Sequence, residues 1–219
     1  MTRLLALDTT TEACSAALWA SGELVAEERV IEPRGHTQRL LPMVESLLAQ
    51  AGWALTQLDG IACTRGPGSF TGVRVGVSVA QGLAYAAELP VLSLSTLDVL
   101  AWQGRQLLPG PGRWQVAMDA RMGELYTAGY RVTDAGLERV TEEALLAPDA
   151  LTVWSENDCG RIGAGWALAP LNHWGSSVSD DLPAARHVAS WANRLLQQNP
   201  GAWVTPIELQ PVYLRDRVT

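Results

Sequence analysis

The run Arg3-Leu4-Leu5-Ala6-Leu7-Asp8 ends in a carboxylate, turns through Thr9-Thr10-Thr11-Glu12 and re-enters an apolar stretch at Cys14-Ser15-Ala16-Ala17-Leu18-Trp19. Short apolar runs bounded by polar turns read as buried strands. Ser21-Gly22 supplies a second turn into Glu23 to Ile31, so the chain opens on a meander of three strands. The same order recurs past the middle: Trp114 to Asp119, the turn Ala120-Arg121-Met122-Gly123, then Glu124 to Val132. No close sequence repeat accompanies it, but the order suggests a structural duplication within a two-lobed α/β protein.

Helical periodicity fills the space between these meanders. From His36 to Ala51, residues Leu40, Leu41, Val44, Leu47 and Leu48 fall at helical offsets, and Gly52 supplies the stop. Leu58 to Cys63 reads as a strand running into Arg65-Gly66-Pro67-Gly68-Ser69-Phe70-Thr71-Gly72. Alternating valines in Val73 to Ala87 would suit a strand. The four-residue spacing of Gly72, Gly76, Ala80 and Ala84 favours a helix with one smooth face. Pro90 to Ser93 adds a strand and Thr96 to Leu107 a helix. Leu108-Pro109-Gly110-Pro111-Gly112 can continue neither element. The expected division is therefore a lobe of residues 1–107 and a smaller lobe of 108–219, whose tail is free to pack back on the first. A last helix runs through Val188, Trp191, Ala192, Leu195 and Leu196, and residues 147–181 carry little pattern.

Composition removes several chemistries. All 16 basic residues among the 219 are arginine, against 23 acidic ones, for a formal charge of −7. A P-loop needs its lysine and a Schiff-base enzyme its amine. An acidic chain repels polyphosphate, so nucleic acid is expected only through a complex. Cys14, Cys63 and Cys159 are odd in number and lack CxxC spacing, which fits a reducing, cytoplasmic setting. No apolar run approaches membrane-spanning length, and the first is cut short by Asp8. His36, His173 and His187 are isolated, so no metal site is expected, and neither HExxH nor GxSxG occurs. The scattered tryptophans read as packing.

Three groups of residues are candidates for function. The loop Gly66 to Gly72 stands after a strand and before a helix, where backbone amides bind anions. Without a lysine, and matching neither nucleotide fingerprint, it reads better as a tight turn with close packing. Asp8 and Asp119 end equivalent strands; with Glu12, Arg121 and Glu124 they either line a ligand cleft or cap their turns, with Arg121 pairing to Glu124. Finally His36, as a cap or surface contact, Leu40, Leu41, Val44 and Leu47, with Gly72, Val73, Gly76 and Ala80, make an apolar surface. It serves either the internal core or a partner helix.

Taken together, Leu5 to Ser15, His36-Thr37-Gln38-Arg39-Leu40-Leu41-Pro42-Met43, Gly66 to Arg74, Asp119 to Glu124 and Pro211-Val212-Tyr213-Leu214-Arg215 resemble the TsaB (YeaZ) family. The likeness is strong through residue 130 and faint from 140 to 200. It implies an actin/Hsp70-like (ASKHA, ribonuclease H-like) α/β fold of two lobes, the second reduced. It implies a non-catalytic subunit in making threonylcarbamoyladenosine beside the tRNA anticodon, paired with a TsaD-like catalytic subunit and a TsaE-like ATPase. Such a subunit meets tRNA only through the complex, forms a homodimer when alone, has no cofactor of its own and leaves room for a nucleotide at a subunit interface. TsaD-like relatives carry two metal-binding histidines where Thr96 and Leu100 stand here, and neither side chain replaces an imidazole. By the same resemblance the helices 36–51 and 71–87 pair the subunits. The turns Asp8–Glu12 and Asp119–Glu124 stay polar without the rest of a nucleotide site, so they are expected to contact the TsaE-like component or a shared nucleotide rather than hydrolyse one. The competing class is an independent ATP-dependent phosphotransferase of the same fold, with Asp8 and Asp119 as its carboxylates.

Overall fold

Strand β1 (Arg3–Asp8) is buried on both faces from Leu4 onward because it lies in the middle of a five-stranded sheet. The computed structural model describes residues 2–154, 158–179 and 181–215. β1 pairs antiparallel with β2 (Ala13–Ala20), which pairs antiparallel with β3 (Glu23–Ile31). On its other side run β4 (Gly60–Thr64) and β5 (Val91–Leu94), both parallel, giving the order β3-β2-β1-β4-β5. Alternation sends Leu5, Leu7, Cys14, Ala16, Leu18 and Ile61 to one face. There they meet Leu40, Val44 and Leu47 of α1 (His36–Ala51) and Val73, Val77 and Ala80 of α2 (Phe70–Ala86). The opposite pleat is covered by α4 (Ala185–Gln198).

Local chemistry explains these helix ends. Gly52 closes α1 in the left-handed conformation, φ 68°, returning its N–H to the last turn. α2 begins at Phe70, three residues before the expected start, because the Ser69 hydroxyl accepts the Gly72 N–H. α4 begins after Ala184, which has no capping side chain. Its first amides are instead taken by strand residues: Ala185 N–H donates to Ser15 Oγ at 3.0 Å and Arg186 N–H to Glu27 Oε1 at 3.0 Å.

A second sheet contains β6 (Arg113–Arg121), β7 (Glu124–Thr133), β8 (Gly136–Arg139), β9 (Ala144–Leu146) and β10 (Cys159–Ile162). Its order is β10-β6-β7-β8, with β9 also on β7. β6, β7 and β8 form an antiparallel meander and β10 adds parallel beside β6, repeating the relation of β4 to the first meander. Among the described residues nothing equivalent to β5 follows. The second sheet thus repeats the strand order of the first in a reduced form, as expected of a two-lobed α/β fold. Leu97, Leu100 and Ala101 of α3 (Thr96–Leu107) join the core of this sheet with Trp114, Val116 and Tyr130. The Trp114 ring lies where a Cβ at Gly104 or Gly160 would stand, which excludes side chains there.

The chain accordingly separates into two units, Met1–Thr96 with Pro183–Val212 and Leu97–Leu182 with Tyr213–Thr219. The division falls before α3 and not at Leu108–Gly112. The reason is packing: α3 supplies core residues to the second sheet, while α4 covers the first.

Candidate functional site

Asp8 ends β1 with its side chain fully buried. Its carboxylate accepts the Thr64 hydroxyl at 2.6 Å, the Thr10 hydroxyl at 2.9 Å and the Thr10 N–H at 3.3 Å. Burial pushes its pKa up, and the bonds from Thr64 and Thr10 only partly offset that. Of the two readings of Asp8, the geometry matches the turn cap. Burial also raises the neighbouring thiols, Cys14 to about 12 and Cys63 further still, the Asp8 charge adding to both.

The glycine loop closes over this same turn. Ser69 N–H donates to Thr10 O at 2.7 Å, and the Thr9 hydroxyl donates to Gly72 O at 2.7 Å. A Cβ at Gly68 would strike the Thr10 carbonyl, and one at Gly72 the Thr9 carbonyl. On the other side a Cβ at Gly66 would stand 2.7 Å from Val212 O, and Val212 N–H donates to Arg65 O at 2.8 Å. The glycines thus admit the chain's own Thr9–Thr10 turn and its 212 segment, where a phosphate-binding loop would leave its amides open. The polar turn's other acid, Glu12, is half-buried beside it and accepts the Glu32 N–H on its backbone carbonyl.

In the second unit the β6–β7 hairpin turns at Met122-Gly123, both at positive φ, 57° and 75°, after an irregularity at Ala120–Arg121. Asp119 accepts the Arg121 N–H at 2.7 Å and pairs with its guanidinium at 3.0 Å. Arg121 therefore folds back on Asp119, whereas Glu124 takes Arg215 at 2.5 Å. Arg215 also donates to the Ala120 carbonyl at 3.2 Å, so a residue near the C-terminus holds the hairpin. No local pattern signals that contact, since 91 positions separate Arg215 from Glu124.

The helical candidates divide by exposure. Leu40, Val44, Leu47, Val73 and Ala80 are buried in the core of the first sheet, and the glycine side of α2 packs inward. A Cβ at Gly76 would strike the Thr9 hydroxyl. The smooth track of Gly72, Gly76 and Ala80 is thus an internal packing face: small residues let α2 approach the Thr9–Thr10 turn and β4. An arginine at Ala80 would test folding rather than association. His36 is buried, with Nε2 3.3 Å from the Ala13 carbonyl. Leu41 alone of the nine is exposed, at 43%. On α2, Phe70 and Tyr85 are also exposed, at 40% and 81%, whereas Val75 and Val79 are half-buried and pack against the core. Phe70 and Tyr85 were not visible as exposed because helical spacing alone does not tell an outward residue from an inward one.

A family model described as TsaD, tRNA N6-adenosine threonylcarbamoyltransferase, matches residues 28–159. The tRNA threonylcarbamoyladenosine biosynthesis protein TsaB of Escherichia coli is 42% identical across 99% of this chain and 96% of its own. The Haemophilus influenzae protein of the same name is 38% identical across 99% and 94%. The chain belongs to the TsaB (YeaZ) family. A solved structure, YeaZ from Pseudomonas aeruginosa, matches with a TM-score of 0.86 and 39% identity over 98% of this chain and all of that one.

For a TsaB-family chain the start of α3 is informative. Thr96 and Leu100, at the positions the resemblance assigns to metal-binding histidines, are both fully buried. Among the described residues no three His, Cys, Asp or Glu side chains gather as metal ligands would, and no helix is long and apolar enough to cross a membrane.

Proposed function

We propose that this chain is a non-catalytic subunit in threonylcarbamoyladenosine biosynthesis, pairing with a TsaD-like catalytic subunit through the outer side of α1 and α2. Membership of the TsaB family supports the pathway. The observation that carries the non-catalytic reading is the occupation of Asp8 and of the glycine loop by the chain's own Thr9, Thr10 and Thr64. A phosphotransferase would need that carboxylate free for a metal and those amides free for phosphate. Leu41, Phe70 and Tyr85 supply the apolar surface that a partner helix would cover.

By this reading the hairpin residues Asp119, Arg121 and Glu124, with Glu12, contribute to contacts with a TsaE-like ATPase. A homodimer through the same helices competes with the heterodimer, and tRNA is met only in the complex, in the cytoplasm. The experiment is replacement of the resident TsaB gene in a bacterial host by this one, followed by mass-spectrometric quantitation of threonylcarbamoyladenosine in tRNA. Restored modification, with no ATP turnover by the isolated chain, is expected. Failure to restore it beside any host TsaD, together with ATP turnover by the chain alone, would return the phosphotransferase.

A further inference from the structure

The C-terminal end of α2 forms one wall of an open cavity of about 720 Å³, with residues 203–206 and Glu208 opposite. Tyr85 stands at its lip and is 81% exposed, far more than a packed aromatic needs to be. Trp203 lines the other side, and its ring occupies the place where a Cβ at Gly60 would stand. Val204 exchanges two backbone hydrogen bonds with Val91, each 2.9 Å, which fixes that wall to the sheet edge.

Charge in the cavity is of one sign. Glu88, held at φ 55°, has no side-chain hydrogen bond or ion pair among the described residues. Glu208 uses one carboxylate oxygen to accept the Thr205 N–H and hydroxyl, both at 2.7 Å, leaving the other without a described partner. Those bonds from Thr205 lower its pKa, so it stays ionised near neutral pH. Among the described residues no basic side chain lines the cavity, and Leu89 and Val204 give it an apolar floor.

We propose that this groove docks an arginine-bearing segment of another protein, its guanidinium against Tyr85 and Trp203 and paired with Glu88 and Glu208. A guanidinium is planar, stacks on aromatic faces and meets carboxylates with paired donors. Its three-methylene stem suits the apolar floor. A lysine would satisfy the carboxylates without the flat stacking, and an apolar or acidic occupant would bury both charges uncompensated. The volume lies in the range of ligand sites and exceeds one side chain, which points to a peptide segment. The groove shares Tyr85 with the outer side of α2, but its carboxylates and Trp203 play no part in the α1–α2 reading.

The test is an NMR titration of the full chain labelled at its tryptophan indoles, the Trp203 signal being assigned with Trp203→Phe. The probe is the capped peptide Gly-Arg-Gly-Arg-Gly, compared with the same peptide carrying neutral citrulline. Saturable movement of the Trp203 signal by the arginine peptide is expected, with affinity about tenfold weaker for the citrulline peptide and for Glu88→Gln. The remaining indole signals report that the variant is folded. No movement at millimolar peptide, or equal affinity for the citrulline peptide, or undiminished binding by folded Glu88→Gln, would overturn the proposal.

Discussion

Glu27 on β3 receives the start of α4 twice from one residue: Arg186 donates its backbone N–H at 3.0 Å and its guanidinium at 2.6 Å. The Glu27 side chain is only 7% exposed, so this carboxylate serves as a cap supplied from 159 residues away. A negative charge at a helix N-terminus is favourable, and a charge-assisted bond to an orphan amide more so. Glu27→Ala should lower stability by about 1–3 kcal/mol, and Glu27→Gln by less because it retains an acceptor. Urea denaturation followed by circular dichroism checks this; no loss of stability in Glu27→Ala would mean that the cap contributes nothing.

Glycines on one helix should respond to alanine with opposite signs. At Gly76 the new methyl meets the Thr9 hydroxyl, whereas at Gly82 nothing lies within 4 Å. Alanine is the better helix former by about 1 kcal/mol, so Gly82→Ala should stabilise by roughly 0.4–1 kcal/mol. Gly76→Ala should destabilise by about 1–3 kcal/mol, since the backbone must move to admit it. Thermal melts of the two variants decide; a gain at position 76 would contradict the inward placement of that face.

Asp8 gives a pH dependence of definite sign. Its folded pKa lies above the unfolded value of 3.8, because burial outweighs the bonds from Thr64 and Thr10. Its contribution to stability is therefore fully present below pH about 4 and is lost as pH rises through the folded pKa. Asp8→Asn removes that loss. Its stability relative to the parent chain should increase from acid toward neutral pH, measured by denaturant midpoints across the series. A difference that stays flat, or falls, would contradict the account.

Several elements were legible because their signals are local. α1 ends where its helical offsets and Gly52 say it should, and the two meanders announce themselves by apolar runs and polar turns. Strands β8 and β9, four and three residues long, are too short to show alternation, and the surrounding region is held by 3₁₀ turns and tryptophan packing. The direction of the α2 faces was not legible for a different reason. Four-residue spacing of small residues specifies close approach but not by what, and the neighbour proved to be Thr9, 63 positions away from Gly72. The same holds for the Arg215 contact to Glu124 and for the cap of α4, where the partner is supplied by tertiary structure alone.

The most direct measurement is the mass, by light scattering after gel filtration, of this chain mixed with a TsaD-like protein from the same source, with Leu41→Arg run beside it. Leu41 is exposed, so the variant should fold as the parent does. A one-to-one complex is expected for the parent chain, and separate species are expected for the variant. Co-elution of folded Leu41→Arg with undiminished mass, or parent chains that never associate at micromolar concentration, would contradict the assignment of α1 and α2 as the pairing surface.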